Sequence, residues 1–100
     1  MSSPEADPSH NARTLSLTMV NRRGLHARAA AKFVRTVERF ASTVSVSKDG
    51  HTVSGLSIMG LLMLAATPGT SVDVVVAGPD ASEAATALDA LVSSGFGETD

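Results

Sequence analysis

His26 is the residue best placed, by type and neighbourhood, to do covalent chemistry. It follows Gly24-Leu25 and precedes Ala27-Arg28-Ala29-Ala30, where a helical apolar period begins. It therefore stands at or next to the N-cap of a helix. There the first backbone N–H groups, those of Ala27 and Arg28, lack a carbonyl partner within the helix, and the helix dipole favours an anion. A neutral imidazole near pH 7 is a competent nucleophile. A phosphoryl group received on this ring would face those amides and the guanidinium of Arg28, and Gly24 leaves room for the backbone beside it. Taken on spacing alone, a histidine at a helix start is more often a plain surface or capping residue.

Other chemistries fail on inspection. The chain has no cysteine, which excludes thiolate catalysis, disulfides and cysteine-based zinc sites. His10, His26 and His51 fall in a tail, a helix start and a strand start, so no metal site is expected, and no cofactor. Residues 50–57 resemble a phosphate-binding loop, but Leu56 occupies the place of the essential lysine and the segment begins in a hairpin. Three phenylalanines without Trp or Tyr provide no base-stacking surface, so no nucleic-acid partner is expected. The densest apolar run, residues 61–66, is far shorter than the roughly 20 residues of a membrane span. Met1 to Arg13 holds no apolar segment that would read as a signal peptide, which predicts a cytoplasmic location.

A chain of 100 residues, 43% of them hydrophobic, suffices for one domain with one core. The net charge of −2 conceals a division: residues 13–48 hold all eight bases against Glu38 alone, and residues 49–100 hold seven acids and no base. Such a split predicts a basic face built from the first half of the fold.

The elements that must position His26 follow from periodicity. Residues 1–13 read as a flexible tail and residues 98–100 as a second, short one, with one domain over 14–97. Thr14 to Val20 alternates as a half-buried strand. From Ala27 to about Phe40, apolar Ala30, Phe33, Val34, Val37 and Ala41 recur at helical spacing, and Arg28, Lys32, Arg35 and Arg39 line another face. Thr43–Lys48, the turn Asp49-Gly50 and His51–Val53 make a hairpin. Ser57 caps a short apolar helix from Ile58 to about Ala66, in which Ile58, Leu61 and Ala65 share a core face and Gly60 allows a close approach. Thr70–Ala77 is a Val-rich strand. Asp80-Ala81-Ser82-Glu83 has capping-box spacing and opens a last helix, with Ala84, Leu88, Leu91 and Val92 on one stripe, that finishes near Gly95. The order β-α-β-β-α-β-α predicts an α+β open-faced sandwich, a four-stranded antiparallel sheet with three helices on one face.

Gly24-Leu25-His26-Ala27-Arg28-Ala29-Ala30 resembles the active-site motif of HPr, the histidine phosphocarrier family of the bacterial phosphoenolpyruvate-dependent phosphotransferase system. Ser57-Ile58-Met59-Gly60-Leu61 is similar to that family's regulatory serine segment, at the same separation from the first motif and in the same element order. The resemblance implies a phosphoryl carrier rather than a turnover enzyme. Enzyme I would phosphorylate His26 on Nδ1, an enzyme IIA domain would remove the group, and a kinase resembling HPr kinase/phosphorylase would act on Ser57. Arg28 would contact the phosphoryl group beside the backbone amides of Ala27 and Arg28. Ile58, Met59 and Leu62, with Lys32 and Arg35, would meet partners, and the protein would be a monomer. One departure is Ala29, where many members of the family have proline; alanine is a good helix former and adds a donor near the anion site. The alternative is a regulatory module on the same fold that binds kinases or transcriptional regulators without obligatory transfer.

Overall fold

Alternating valines place one strand at the centre of the molecule. The computed structural model describes residues 12–98, and in it β4 (Ser71–Ala77) buries Val72, Val74 and Val76 on one face. It is flanked by β1 (Ala12–Thr18) and β2 (Thr43–Lys48), and β3 (His51–Ser54) closes the far edge, giving the order β1-β4-β2-β3. All three pairings are antiparallel, with Leu17 opposite Val72 and Val46 opposite Val74. Three helices, α1 (Ala27–Glu38), α2 (Ile58–Met63) and α3 (Ala81–Ser93), cover one face. The core lies between, where Ala30, Phe33 and Val37 of α1 and Ala84, Leu88 and Val92 of α3 meet the sheet valines. The other face is uncovered and polar: Ser16, Asp73, Ser47 and Thr52, three hydroxyls and a carboxylate, form one row across all four strands. The expected open-faced α+β architecture is the one observed.

Several boundaries move, each for a physical reason. β1 spans Ala12–Thr18 rather than Thr14–Val20, because Ala12 pairs with Ala77 and the ladder ends where Met19 exchanges backbone bonds with Gly69 and Thr70. Ala12 and Arg13 thus belong to the sheet, and the rest of the proposed tail lies outside the described residues. α1 stops at Glu38 because Arg39 and Phe40 donate to Thr36 and Val37, the tighter i→i+3 pattern of a closing turn.

α2 ends at Met63 rather than Ala66. Ala65 takes a φ of +53°, turning the chain so that Ala66 O accepts the N–H of Leu25 at 2.9 Å. The expected core face of this helix is corrected with it: Leu61 and Leu64 are buried, while Ile58 is 40% exposed and Ala65 lies beyond the helix, exposed. Gly60 does permit the close approach, since a Cβ there would lie 2.9 Å from Cβ of Val53.

Asp80 is the N-cap residue of α3, yet its carboxylate makes no bond to that helix. It accepts instead from the N–H of Ala41 at 2.8 Å and the hydroxyl of Ser42 at 2.6 Å, fastening the α1–β2 turn. The capping box is therefore not formed. Those two bonds, the Ser42 hydroxyl foremost, hold the Asp80 carboxyl below its ordinary value. After α3 the chain runs through Gly95, Phe96 and Gly97, three successive residues with φ of 67°, 58° and 70°. Burial of the Phe96 ring, 1% exposed, anchors this turn.

Candidate functional site

The loop before α1 is shaped by Gly24. Its φ is +63°, and a Cβ there would lie 2.4 Å from O of Ala66, so only glycine fits without moving backbone. The bond from Leu25 to Ala66 then delivers His26 to the helix start. His26 is the N-cap: its φ and ψ are −84° and −178°, its carbonyl accepts the N–H of Ala30 at 2.8 Å, and its Nδ1 accepts the N–H of Arg28 at 3.3 Å. The Arg28 amide, expected free for an anion, is therefore engaged by the imidazole itself. The first helical turn still lacks intrahelical carbonyls for its other leading amides.

The other ring nitrogen meets a residue that the sequence placed in a tail. Nε2 lies 2.5 Å from Oε2 of Glu98, 72 residues further on. Because Nδ1 accepts, the ring proton sits on Nε2 and donates to the carboxylate, which fixes one neutral tautomer. Glu98 is held in turn by Asn21, whose Nδ2 donates to Oε1 at 2.9 Å and to the Gly24 carbonyl at 2.8 Å. These bonds, that of Asn21 first and that of His26 next, keep the Glu98 carboxyl below the ordinary glutamate value. It is ionised at neutral pH. Asn21 is itself buried, and its Oδ1 has no partner among the described residues.

Lys32 also points into this corner. Its Nζ donates to the carbonyl of Phe96 at 2.7 Å, tying α1 to the turn that presents Glu98. Lys32 stands on the expected basic face of α1, with one of the three donors of its ammonium used by main chain. Arg28 and Arg35 remain exposed, and the guanidinium of Arg39 lies 5.4 Å from the ring centre of Phe40.

Ser57 caps α2 as expected, its Oγ accepting the N–H of Gly60 at 2.9 Å. α2 packs on α1, and the bond from Leu25 to Ala66 ties the segment that follows α2 to the loop before His26. Met59 is 68% exposed, and Ile58 and Leu62 are more covered. Met63, absent from the patch read in the sequence, is the most exposed apolar residue there at 78%.

Asn21 and Glu98 were missed for different reasons. Asn21 lies in the loop with His26, but nothing local tells an anchoring amide from an ordinary turn residue. Glu98 has no local signal, since only the three positive-φ residues before it bring its carboxylate back to the ring.

The comparisons with known proteins bear on the family and the fold. Residues 14–94 match the family described as PTS HPr component phosphorylation site. Over 83 residues the chain is 47% identical to the phosphocarrier protein HPr of Neisseria meningitidis, covering 83% of this chain and 93% of that one. The solved structure of HPr-C-His from Thermoanaerobacter tengcongensis is similar with a TM-score of 0.83 and 40% identity, over 88% of this chain and 99% of the other. An HPr dimer from the same organism is similar at a TM-score of 0.69 and 42% identity, over 84% and 97%.

Proposed function

This chain belongs to the HPr family of the phosphotransferase system, and from that premise we propose that His26 receives a phosphoryl group on Nδ1 from enzyme I and yields it to an enzyme IIA domain. The observation that carries the reading is the division of labour between the ring nitrogens. Nε2–H is occupied by Glu98, and the Nδ1 lone pair faces the start of α1. In the forward step that lone pair attacks phosphorus, the N–P bond forms and the donor's bond to phosphorus breaks. The Arg28 amide leaves that lone pair as the attack begins and passes to a phosphoryl oxygen, joined by the Ala27 amide and the Arg28 guanidinium. The proton stays on Nε2 in its bond to the ionised Glu98, which balances the positive character of the ring. Transfer onward reverses these events. The site must hold the group without over-stabilising it, because tight binding would block its departure.

Ile58, Met59 and Leu62, with Arg28 and Arg35, form the docking surface in this reading, and Ser57 is the regulatory position. A phosphate there would place about −1.5 to −2 charges beside the patch a partner must desolvate. Among the described residues no helix is long and apolar enough to cross a membrane, consistent with a protein that works in the cytoplasm. The proposed working form is a monomer, since His26, Asn21 and Glu98 come from one chain; sedimentation at working concentration decides it against a dimer. Incubation with enzyme I and labelled phosphoenolpyruvate tests the main reading. Acid-labile, base-stable label on His26, abolished in His26→Ala, is expected. Label retained by that variant overturns it.

A further inference from the structure

We propose that Met59 and Met63 form a reversible oxidation site through which hydroperoxides switch docking at the His26 corner; the docking consequence rests on the reading given above, whereas the site itself does not. The two residues stand one helical turn apart on α2 and are 68% and 78% exposed. The same helix holds its place through Leu61 and Leu64, both buried, so neither methionine is needed to anchor it. The chain also contains its own control. Met19, at the end of β1, is 2% exposed and part of the core. No cysteine competes for oxidant.

The chemistry is a two-electron oxygen transfer. The thioether sulfur attacks the outer oxygen of hydrogen peroxide, the O–O bond breaks, a sulfoxide S–O bond forms, and the peroxide is reduced to water. A dithiol reductase reverses it, taking the oxygen off as water while its own thiols close to a disulfide. The product is a polar, hydrogen-bond-accepting group in place of a soft apolar one. On α2 the change falls on the exposed apolar surface beside Ile58 and Leu62 and leaves Leu61 untouched. Position makes it consequential: three residues after Met63, the Ala66 carbonyl holds Leu25, the neighbour of His26. An oxidised pair therefore obstructs the approach of a protein to His26 without disturbing the core.

The test treats the full-length protein with hydrogen peroxide and follows each methionine by peptide mass spectrometry, with thermal unfolding and the rate of His26 labelling measured on the same samples. Met59 and Met63 are expected to gain oxygen first while Met19 stays reduced and the melting temperature is unchanged. Labelling should slow about ten-fold and return after treatment with both epimer-specific methionine sulfoxide reductases. In Met59→Leu/Met63→Leu, the rate after peroxide should equal that variant's own untreated rate. Oxidation of Met19 at the same pace, or loss of melting temperature in step with oxidation, overturns the site. Full oxidation of the pair with undiminished labelling overturns the switch and leaves the phosphocarrier reading standing. Absence of label before any peroxide overturns that reading and the switch with it, while the mass spectra still decide the site.

Discussion

The imidazole of His26 and the carboxylate of Glu98 face each other at 2.5 Å, joining the start of α1 to the last described residue of the chain. An ionised acceptor on Nε2–H fixes the tautomer and keeps the lone pair on Nδ1, as carboxylates do behind ligating or nucleophilic histidines. Glu98→Gln keeps the shape and removes the charge. It is expected to slow phosphorylation of His26 about ten-fold, and ring nitrogen resonances should show a mixture of neutral tautomers in place of one. A variant that labels at the wild-type rate would mean that Glu98 only tidies the surface.

Acid stability follows from the same carboxylate. Both Glu98 and Asp80 have folded values below their ordinary ones, so the unfolded chain binds protons more readily than the native one. Their contribution is present above the ordinary carboxylate range, near pH 4, and is lost as pH falls through the lowered folded values. Urea midpoints measured down the acid limb should therefore fall less steeply in Glu98→Gln and in Asp80→Asn. Parallel curves for all three proteins would refute the linkage.

Arg28 and Arg39 separate contact from steering. Both are exposed, but only Arg28 stands in the first turn beside His26. Arg28→Ala should reduce phosphotransfer at every ionic strength, by about ten-fold or more. Arg39→Ala should reduce mainly the association rate with enzyme I, and that deficit should vanish as salt screens it. Stopped-flow association across a salt series distinguishes them, and salt-independent rates would leave the helix face a solvated one.

Ser57 is tested by two variants that divide cap from charge. Ser57→Ala loses the bond to Gly60 and should cost about 1 kcal/mol of stability, visible in the urea midpoint, with transfer largely retained. Ser57→Asp keeps an oxygen acceptor at the N-cap and should hold its melting temperature while transfer falls. Equal loss of transfer in both variants would assign the effect to helix stability instead of charge.

Gly24 offers the most local test. Gly24→Ala would combine a positive φ with a backbone contact at 2.4 Å, and should destabilise the fold by about 2 kcal/mol or more. Labelling of His26 should drop even at temperatures where the variant remains folded, because the Leu25–Ala66 bond that sets the ring must move. A variant with native labelling would show that the loop tolerates the shift.

What the sequence disclosed was what local periodicity can encode. Alternation in Thr43–Lys48 and Ser71–Ala77, the stripe through Phe33 and Val37, the Asp49-Gly50 turn and the Ser57 cap each declare themselves within a few residues. His26 was legible because the residues that set the helix start around it, Gly24, Leu25, Ala27 and Arg28, are its immediate neighbours. The remainder is non-local. Asp80 looks like a capping residue until the fold brings Ala41 and Ser42 against it, and a stronger pair of donors outcompetes the α3 amides. Lys32 looks solvated until Phe96 arrives beneath it. Ala65 continues a helical pattern, yet the chain must turn there to reach Leu25.

The turn that carries Glu98 has a further consequence, one of handedness. Gly95, Phe96 and Gly97 all lie at positive φ, so for three residues the main chain is folded as the mirror-image polypeptide would be. An L-residue in that region costs roughly 1–2 kcal/mol, which burial of Phe96 offsets and glycine avoids at its two neighbours. The intuitive preference of a protein for its own enantiomer is inverted here. At Gly97 a D-alanine introduced by chemical ligation matches the backbone it finds and restricts the unfolded chain, whereas its L counterpart opposes the turn; the bond to His26 would tighten with one hand and loosen with the other.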